Sequence, residues 1–197
     1  MMELDRQLIE NIAALKTPTI IAVSGLGGAG KSTLANRLGE KLEAPVIGVD
    51  SFMKNSAATN YSNWDIVDFA RLEQEIILPF LSGKNPLEYG HFDWGANKVI
   101  KTIEAPHNDK IIIEGVGLFR PKLNSHFAYK IWVDCSAEDA IERGKKRDRE
   151  VHQNPQDENW DGIWKKNDEE YVAVFKPKES ANFVFDNCNL QQCLALF

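Results

Sequence analysis

The chain has 197 residues, of which 43% are hydrophobic and 26% are charged, and its formal net charge is −6. These values predict one globular domain over residues 1–197 and argue against a broad nucleic-acid surface, which would need an excess of basic residues. No apolar run reaches the ~20 residues of a membrane span, and the N-terminus lacks the apolar stretch of a signal peptide, so a cytoplasmic protein with reduced cysteines is expected.

Short apolar runs alternate with amphipathic segments along most of the chain. Residues 3–15 have apolar side chains at helical spacing and predict a short helix before the first run. The other predicted elements are strands at 19–23, 45–49, 110–113, 129–133 and 182–185, and helices at 31–42, 68–81 and after Ser136. This alternation is typical of an α/β fold with a parallel central sheet.

One segment departs from the alternation. Residues 89–94 and 98–103 are strand-like runs on either side of Gly95-Ala96-Asn97, a pattern that predicts a β-hairpin. We therefore expect a three-layer α/β fold with a five-stranded parallel sheet and an inserted hairpin lobe, about residues 86–104.

Residues 25–32 match the phosphate-loop pattern G-x-x-x-x-G-K-[ST]. Glycines let the backbone curl so that its N–H groups point at anionic oxygens, and the helix that begins here adds the positive end of its dipole. Lys31 can reach the β- and γ-phosphates of ATP or another nucleoside triphosphate, and the Ser32 hydroxyl can bind Mg²⁺. The predicted nucleotide-binding residues are Gly25, Gly27, Gly28, Ala29, Gly30, Lys31, Ser32 and Thr33.

Two acidic residues stand where predicted strands end: Asp50 and Glu114. Because the carboxyl ends of parallel strands line the ligand crevice of an open α/β sheet, both acids should approach the phosphates. Phosphoryl transfer needs one carboxylate to accept the proton of the acceptor hydroxyl and others to hold Mg²⁺ or its waters. Asp50 is the candidate base and a candidate metal ligand, and Glu114 is the other metal ligand. The structural alternatives are a helix cap for Asp50 and a solvated acid for Glu114.

The helix predicted after Ser136 has a face of small residues and a cluster of cations at Arg143, Lys146 and Arg147. These cations either close over a triphosphate and stabilise charge in the transition state, or form an ordinary solvated face. Trp160 and Trp164, one helical turn apart, are either a stacking platform for a base or, as such pairs more often are, core residues. Spacing alone decides neither question.

With these motifs in place, the chain resembles the uridine kinase-like branch of the P-loop kinases, alongside phosphoribulokinase and nicotinamide riboside kinase. The resemblance runs in order from about residue 20 to residue 186 and includes the phosphate loop, Asp-Ser-Phe at 50–52 and Glu-Gly at 114–115. It implies a kinase that phosphorylates a hydroxyl of a nucleoside, with Asp50 as the catalytic base. It also implies that Arg143 and Arg147 are catalytic arginines of a helical lid, about residues 137–165.

The same resemblance implies an acceptor site. Asn63-Trp64-Asp65 is similar to the aromatic–Asp step whose acid holds the ribose hydroxyls, with a helix cap near Phe69 as the structural alternative for Asp65. Phe92-Asp93-Trp94 is similar to the step on the family hairpin that cradles the acceptor base. The implied substrate-binding residues are Asp65, Tyr89, Phe92, Asp93 and Trp94.

Departures from the family pattern leave the acceptor open. Met53 stands where uridine kinases have a tyrosine, and Asn97 stands near the place of the hairpin histidine. Residues 153–157 with Trp160 also look like the lid of nicotinamide riboside kinases, so a nicotinamide riboside-type or other small-alcohol kinase is the alternative. A nucleotide-binding regulatory protein is the alternative of another class, although it would need neither Asp50 nor a hairpin lobe. The sequence does not decide the acceptor, ATP against GTP, feedback regulation or the oligomeric state, for which a homo-oligomer is open.

Overall fold

A computed structural model describes residues 6–54 and 60–188 of the chain. Its strands are β1 (Thr19–Gly25), β2 (Val46–Gly48), β3 (Leu87–Asp93), β4 (Lys98–Ala105), β5 (Lys110–Glu114), β6 (Tyr129–Asp134) and β7 (Phe183–Asp186). Five of them form a sheet in the order β2–β5–β1–β6–β7, and all of its neighbouring pairs are parallel. The strands β3 and β4 form a separate antiparallel hairpin. The predicted five-stranded parallel sheet and inserted hairpin are therefore confirmed.

The helices are α1 (Arg6–Ala13), α2 (Lys31–Leu42), α3 (Phe69–Leu72), α4 (Leu78–Leu81), α5 (Pro121–Asn124), α6 (Ala137–Glu150), α7 (Asp157–Asn159), α8 (Lys165–Phe175) and α9 (Pro177–Ser180). A 3₁₀ turn spans Val49–Phe52, and π-helical turns span Glu73–Ile77 and Trp160–Trp164. None of the helices in the described residues combines the length and apolar character needed to span a bilayer.

Two hydrophobic cores lie on the two faces of the sheet. Ile20 and Ala22 of β1 belong to one core, whereas Ile21 and Val23 belong to the other. Successive side chains of a strand point to opposite faces, so a strand covered on both faces must be apolar at every position. This is why the sheet strands stand out in the sequence as continuous apolar runs.

The helical segment predicted over 68–81 is divided into α3, a π-helical turn and α4. Pro79 has no N–H to donate to the preceding turn, and its ring crowds the carbonyl four residues earlier, which the wider π-helical turn can accommodate. Asp68 caps the segment by accepting a hydrogen bond from the Arg71 N–H at 3.0 Å. The segment is followed by Gly83, which has the left-handed φ of 84° expected after a helix end.

An ion pair fixes the hairpin to this helical segment. Arg71 pairs with Glu75 at 2.7 Å, donates to the Gly90 carbonyl and lies over the Phe52 ring. Glu75 in turn accepts the Gly90 N–H at 2.9 Å. Both backbone groups of one β3 residue are thereby bonded to the helix, so the hairpin has a fixed position relative to the sheet.

Several predicted boundaries differ from the structure by one to three residues; the hairpin strands, for example, are Leu87–Asp93 and Lys98–Ala105 instead of 89–94 and 98–103. The strand expected over 45–49 ends at Gly48, because the chain turns into a 3₁₀ helix at Val49. The helix expected over 3–15 covers Arg6–Ala13 in the structure, and Leu4 lies outside the described residues.

Gly144 of α6 gives a test of the packing. Alanine normally stabilises a helix interior by ~1 kcal/mol relative to glycine, but a Cβ here would overlap the buried ring of Trp160. Overpacking costs ~1–3 kcal/mol, so Gly144→Ala should lower the unfolding free energy, measured by denaturant titration. Gly95→Ala in the exposed hairpin turn, where a Cβ makes only ordinary contacts, is the control; a Gly144→Ala protein as stable as the wild type would contradict the packing.

Candidate active site

The phosphate loop leaves β1 at Gly25 and enters α2 at Lys31. Gly28 and Gly30 have φ angles of 78° and 100°, in the left-handed region that favours glycine. A Cβ on Gly28 would overlap the Ala140 carbonyl oxygen, and one on Gly30 would lie 2.5 Å from Asn187 Nδ2. The glycines are therefore required by the packing of α6 and of the chain after β7 as well as by backbone conformation.

Lys31 is the buried cation of the loop, with 8% of its surface exposed. Its Nζ donates to the Leu26 carbonyl oxygen at 2.7 Å. Burial lowers the pKa of Lys31, and the surrounding carboxylates oppose that shift. In decreasing order of effect these carboxylates are Glu114, Asp168 and Asp50. The two strand-end acids chosen from sequence therefore do meet the phosphate-loop lysine.

Asp50 lies in the 3₁₀ turn directly after β2, and it caps no helix. Its side chain is reached by solvent, yet the protein atoms around the carboxyl desolvate it enough to raise its pKa; Lys31 and Arg147 oppose the rise. A carboxylate with a raised pKa is a better proton acceptor than an ordinary one. The helix-cap alternative for Asp50 is wrong, and its position suits a general base.

Ser32 and Glu114 are the pair that fits Mg²⁺. The Ser32 hydroxyl donates to Glu114 Oε1 at 3.2 Å, and burial raises the Glu114 pKa while Lys31 opposes the rise. No three His, Cys, Asp or Glu side chains of the described residues cluster closely enough to hold a metal by themselves. Mg²⁺ in phosphoryl-transfer sites is held by one or two protein oxygens together with phosphates and waters, so this small donor set fits that ion.

The two candidate lid arginines occupy different places. Arg147 pairs with Asp148 at 2.9 Å and is close enough to Lys31, Asp50 and Glu114 to affect their pKa values. Arg143, one helical turn earlier, donates at 2.9 Å to the carbonyl oxygen of Asn187, beyond β7. The structure thus brings Arg147, and not Arg143, together with the acidic residues of the cleft.

Trp160 covers the outer side of the loop. Its ring is buried, its Nε1 donates to Asp148 at 2.7 Å, and a Cβ on Gly27 would lie 3.0 Å from it. The core interpretation of Trp160 is therefore confirmed. The ring holds the lid segment down on the phosphate loop and on α6.

Asp65 is paired and exposed. Its Oδ1 accepts a hydrogen bond from Arg120 Nη1 at 2.7 Å, and 59% of its side chain is exposed. The helix cap is Asp68, so the cap alternative for Asp65 is wrong. The backbone of this segment pairs with the chain just beyond Asp50, since the Lys54 N–H donates to the Ile66 carbonyl at 2.9 Å.

The hairpin residues implied as substrate ligands differ in exposure. Tyr89 and Phe92 are buried in the core, where Tyr89 stacks on Phe52 with 5.5 Å between ring centroids. Asp93 Oδ1 accepts the Ala96 N–H at 2.6 Å and so stabilises the hairpin turn. Trp94 is 47% exposed and packs edge-on against Phe92. Of these four side chains, Trp94 has the most surface available for a ligand.

Three residues of the site were not identified from sequence. Asp168 of α8 accepts the Gly27 N–H at 2.8 Å, Asn187 donates to the Ala29 carbonyl at 2.7 Å, and the Tyr171 hydroxyl accepts the Phe119 N–H at 2.8 Å. No local sequence pattern marks these residues as functional. Asp168, for example, lies within Asn167-Asp168-Glu169-Glu170, a run that looks like a solvated helix face. Thr33 is exposed on the first turn of α2.

The chain is similar in sequence and in fold to known proteins. The sequence model of the AAA domain family matches residues 21–172. The uridine kinase of Proteus mirabilis (strain HI4320) is 30% identical over 147 residues, which are 66% of this chain and 68% of that protein. The uridine kinase of Clostridium botulinum (strain Langeland / NCTC 10281 / Type F) is 29% identical over 147 residues, 68% of this chain and 70% of that protein. A solved structure described as a possible uridine kinase from Bacillus stearothermophilus has the same fold, with a TM-score of 0.68 and 22% identity over 91% of this chain and 96% of that one.

Lys31 gives a test of the loop. Lys31→Met keeps an apolar stem and removes the ammonium, which should reduce turnover ~10³-fold or more because charge developing on the phosphates is no longer stabilised. Melting temperature should change little, since a buried and desolvated cation is replaced by an apolar group. Turnover and thermal melting are measured together, and near-normal turnover would contradict the assigned site. Lys41→Met, near the C-terminal end of α2 on its exposed side, is the control.

Proposed function

We propose that this chain, which belongs to the AAA domain family and to the uridine kinase-like P-loop kinases, transfers the γ-phosphate of ATP to a hydroxyl of a nucleoside. Membership of these families makes the protein a small-molecule phosphotransferase. ATP as the phosphate donor and a nucleoside as the acceptor are proposed in addition. The observation that carries the proposal is the meeting of Lys31, Asp50 and Glu114 at one end of the sheet.

The residues divide the reaction between them. The phosphate-loop N–H groups and Lys31 bind the β- and γ-phosphates, and Ser32 and Glu114 would hold Mg²⁺, which supplies positive charge to the phosphate oxygens. Asp50 accepts the proton of the acceptor hydroxyl while the oxygen of that hydroxyl bonds to the γ-phosphorus. The bond between the γ-phosphorus and the bridging oxygen breaks at the same time, which releases ADP. Arg147, beside Asp50, offsets the charge that develops.

A nucleoside is proposed as acceptor because of Asp65 and the hairpin. The carboxylate of Asp65 is exposed and caps no helix, so it remains available to accept hydrogen bonds from two vicinal hydroxyls. Arg120 holds it in place through its pair with Oδ1. Trp94 offers an exposed aromatic face on the hairpin lobe, the part of the protein on which a base would pack.

Asp50→Asn tests the base. The variant keeps the shape of the side chain but cannot accept the proton, so kcat should collapse while ATP·Mg²⁺ still binds. Calorimetric titration with ATP·Mg²⁺ and steady-state turnover are the measurements. If nucleotide binding is lost together with turnover, Asp50 is chiefly a magnesium-site residue and its assignment as base is wrong.

Asp65→Ala tests the acceptor site. Charge-assisted hydrogen bonds contribute ~1.5–3 kcal/mol each, so the KM for the acceptor should rise at least ~10-fold while the KM for ATP stays nearly unchanged. A ribonucleoside should also be preferred over its 2′-deoxy analogue, since a site built to bond a hydroxyl rejects the analogue that lacks it. The measurement is ATP consumption, first screened over uridine, cytidine, nicotinamide riboside, pantothenate and small sugars.

Asp68→Ala is the matched control for this change. Asp68 is the helix cap three residues away, so its removal should lower the unfolding free energy by ~1 kcal/mol and leave the acceptor KM unchanged. Equal rates with ribo and deoxy acceptors, or an Asp65→Ala protein that loses only stability, would count against the nucleoside. ATP consumption with none of the acceptors would favour the non-catalytic alternative.

A further inference from the structure

Asp168 connects two segments of the protein that bind different substrates in the proposed reaction. Its Oδ2 accepts the backbone N–H of Gly27, in the phosphate loop, at 2.8 Å. Its Oδ1 accepts the indole N–H of Trp64, the residue before Asp65, also at 2.8 Å. The side chain is buried, with 8% of the residue exposed. One carboxylate thus spans the distance between the nucleotide loop and the segment assigned to the acceptor.

The neighbouring residues of α8 hold the same segment. Asn167 is fully buried; its Oδ1 accepts the Trp64 backbone N–H at 2.8 Å and its Nδ2 donates to the Tyr61 carbonyl at 3.1 Å. Asn63 and Trp64 have φ angles of 53° and 62°, which are uncommon for residues other than glycine and persist only where surrounding contacts enforce them. The shape of the chain that leads into Asp65 therefore depends on α8.

We propose that Asp168 is a positioning residue that couples the nucleotide loop to the acceptor segment, so that nucleotide bound at one orders the other. The inference rests on the proposed function for its meaning, although the coupling itself is a property of these contacts. A ligand that restrains the phosphate loop also restrains Gly27, and through the Asp168 carboxylate it restrains Trp64. The second substrate then has less conformational entropy to lose on binding.

A carboxylate is suited to this position and a neutral side chain is not. Two N–H donors face Asp168, and only an ionised carboxylate offers an acceptor oxygen to each; asparagine would oppose one donor with its own NH₂ group. Burial raises the pKa of Asp168 to about 6, and the Lys31 ammonium opposes the rise, while Glu169 on the same helix adds to it. At neutral pH the group is therefore ionised and accepts both bonds.

The experiment is amide hydrogen exchange of residues 60–65 with and without the non-hydrolysable nucleotide AMP-PNP and Mg²⁺. In the wild type, the nucleotide should slow exchange of this segment ~5-fold or more, the lower end of usual coupling between sites. Asp168→Asn should abolish that slowing while AMP-PNP still binds by calorimetry. Trp64→Phe, which removes the indole donor and keeps an aromatic ring, should also abolish the slowing. It replaces Asp168→Asn in the experiment if that variant does not fold.

Glu169→Gln is the matched control, because it alters the adjacent carboxylate of α8, whose side chain is 64% exposed. It should retain the wild-type slowing. No slowing in the wild type, or slowing that survives in both Asp168→Asn and Trp64→Phe, overturns the coupling and leaves the proposed function intact. Failure of the wild type to bind AMP-PNP overturns the proposed function and the coupling together.

Discussion

At three positions of the phosphate loop, neighbouring elements pack so closely that there is no room for a side chain. This close packing determines how those elements lie around the loop. A Cβ at Gly25 would lie 2.6 Å from the Val133 carbonyl oxygen, one at Gly28 would overlap Ala140, and one at Gly30 would meet Asn187. The loop backbone thus packs directly on β6, on α6 and on the chain after β7. Because Gly25 and Gly28 pack on backbone atoms, which have little freedom to move, the loop is held at these two points before any anion arrives, as electrostatic catalysis requires, whereas Gly27 is held by the side chain of Asp168.

Charge at the loop is unbalanced in a way that favours the Mg²⁺ proposed on Ser32 and Glu114. Among the described residues, Lys31 interacts here with three carboxylates, and Arg147 interacts with two of them, Asp50 and Glu114. Burial raises the pKa of those carboxylates, so each is already costly to ionise. A bound triphosphate adds further negative charge to the same volume. Additional positive charge would offset it, and the proposed divalent cation on Ser32 and Glu114 would supply two charges in a small volume.

The sequence predicts those parts of the fold and site that depend on local pattern. The sheet strands are recognisable because burial on both faces requires an unbroken apolar run. The loop is recognisable because its glycines, lysine and serine stand at fixed spacing within eight residues. The role of Asp168 could not be predicted, since its partners Gly27 and Trp64 are more than a hundred residues away in the chain. Asp65 and Asp68 show the limit within one segment: either could cap the following helix by type, and the direction of the side chain decides for Asp68.

The anchoring of the hairpin constrains how an acceptor could be selected. Tyr89 and Phe92 are committed to the core, and Arg71 and Glu75 bind both backbone groups of Gly90, so this lobe is a fixed wall. A β-bulge at His91 interrupts the ladder, and the His91 ring lies 3.1 Å from the hydroxyl of Ser51, next to Asp50. Bulges re-aim side chains beside active sites. Because the lobe is held in place, the groups that remain exposed on it determine which acceptor binds, and movement of the lobe does not. Asn97, near the place where the resembled family is expected to have a histidine, lies in the turn of this lobe, whereas Met53 is buried in the core. A change near Asn97 would therefore alter the surface offered to the acceptor while leaving Lys31, Asp50 and Glu114 in place.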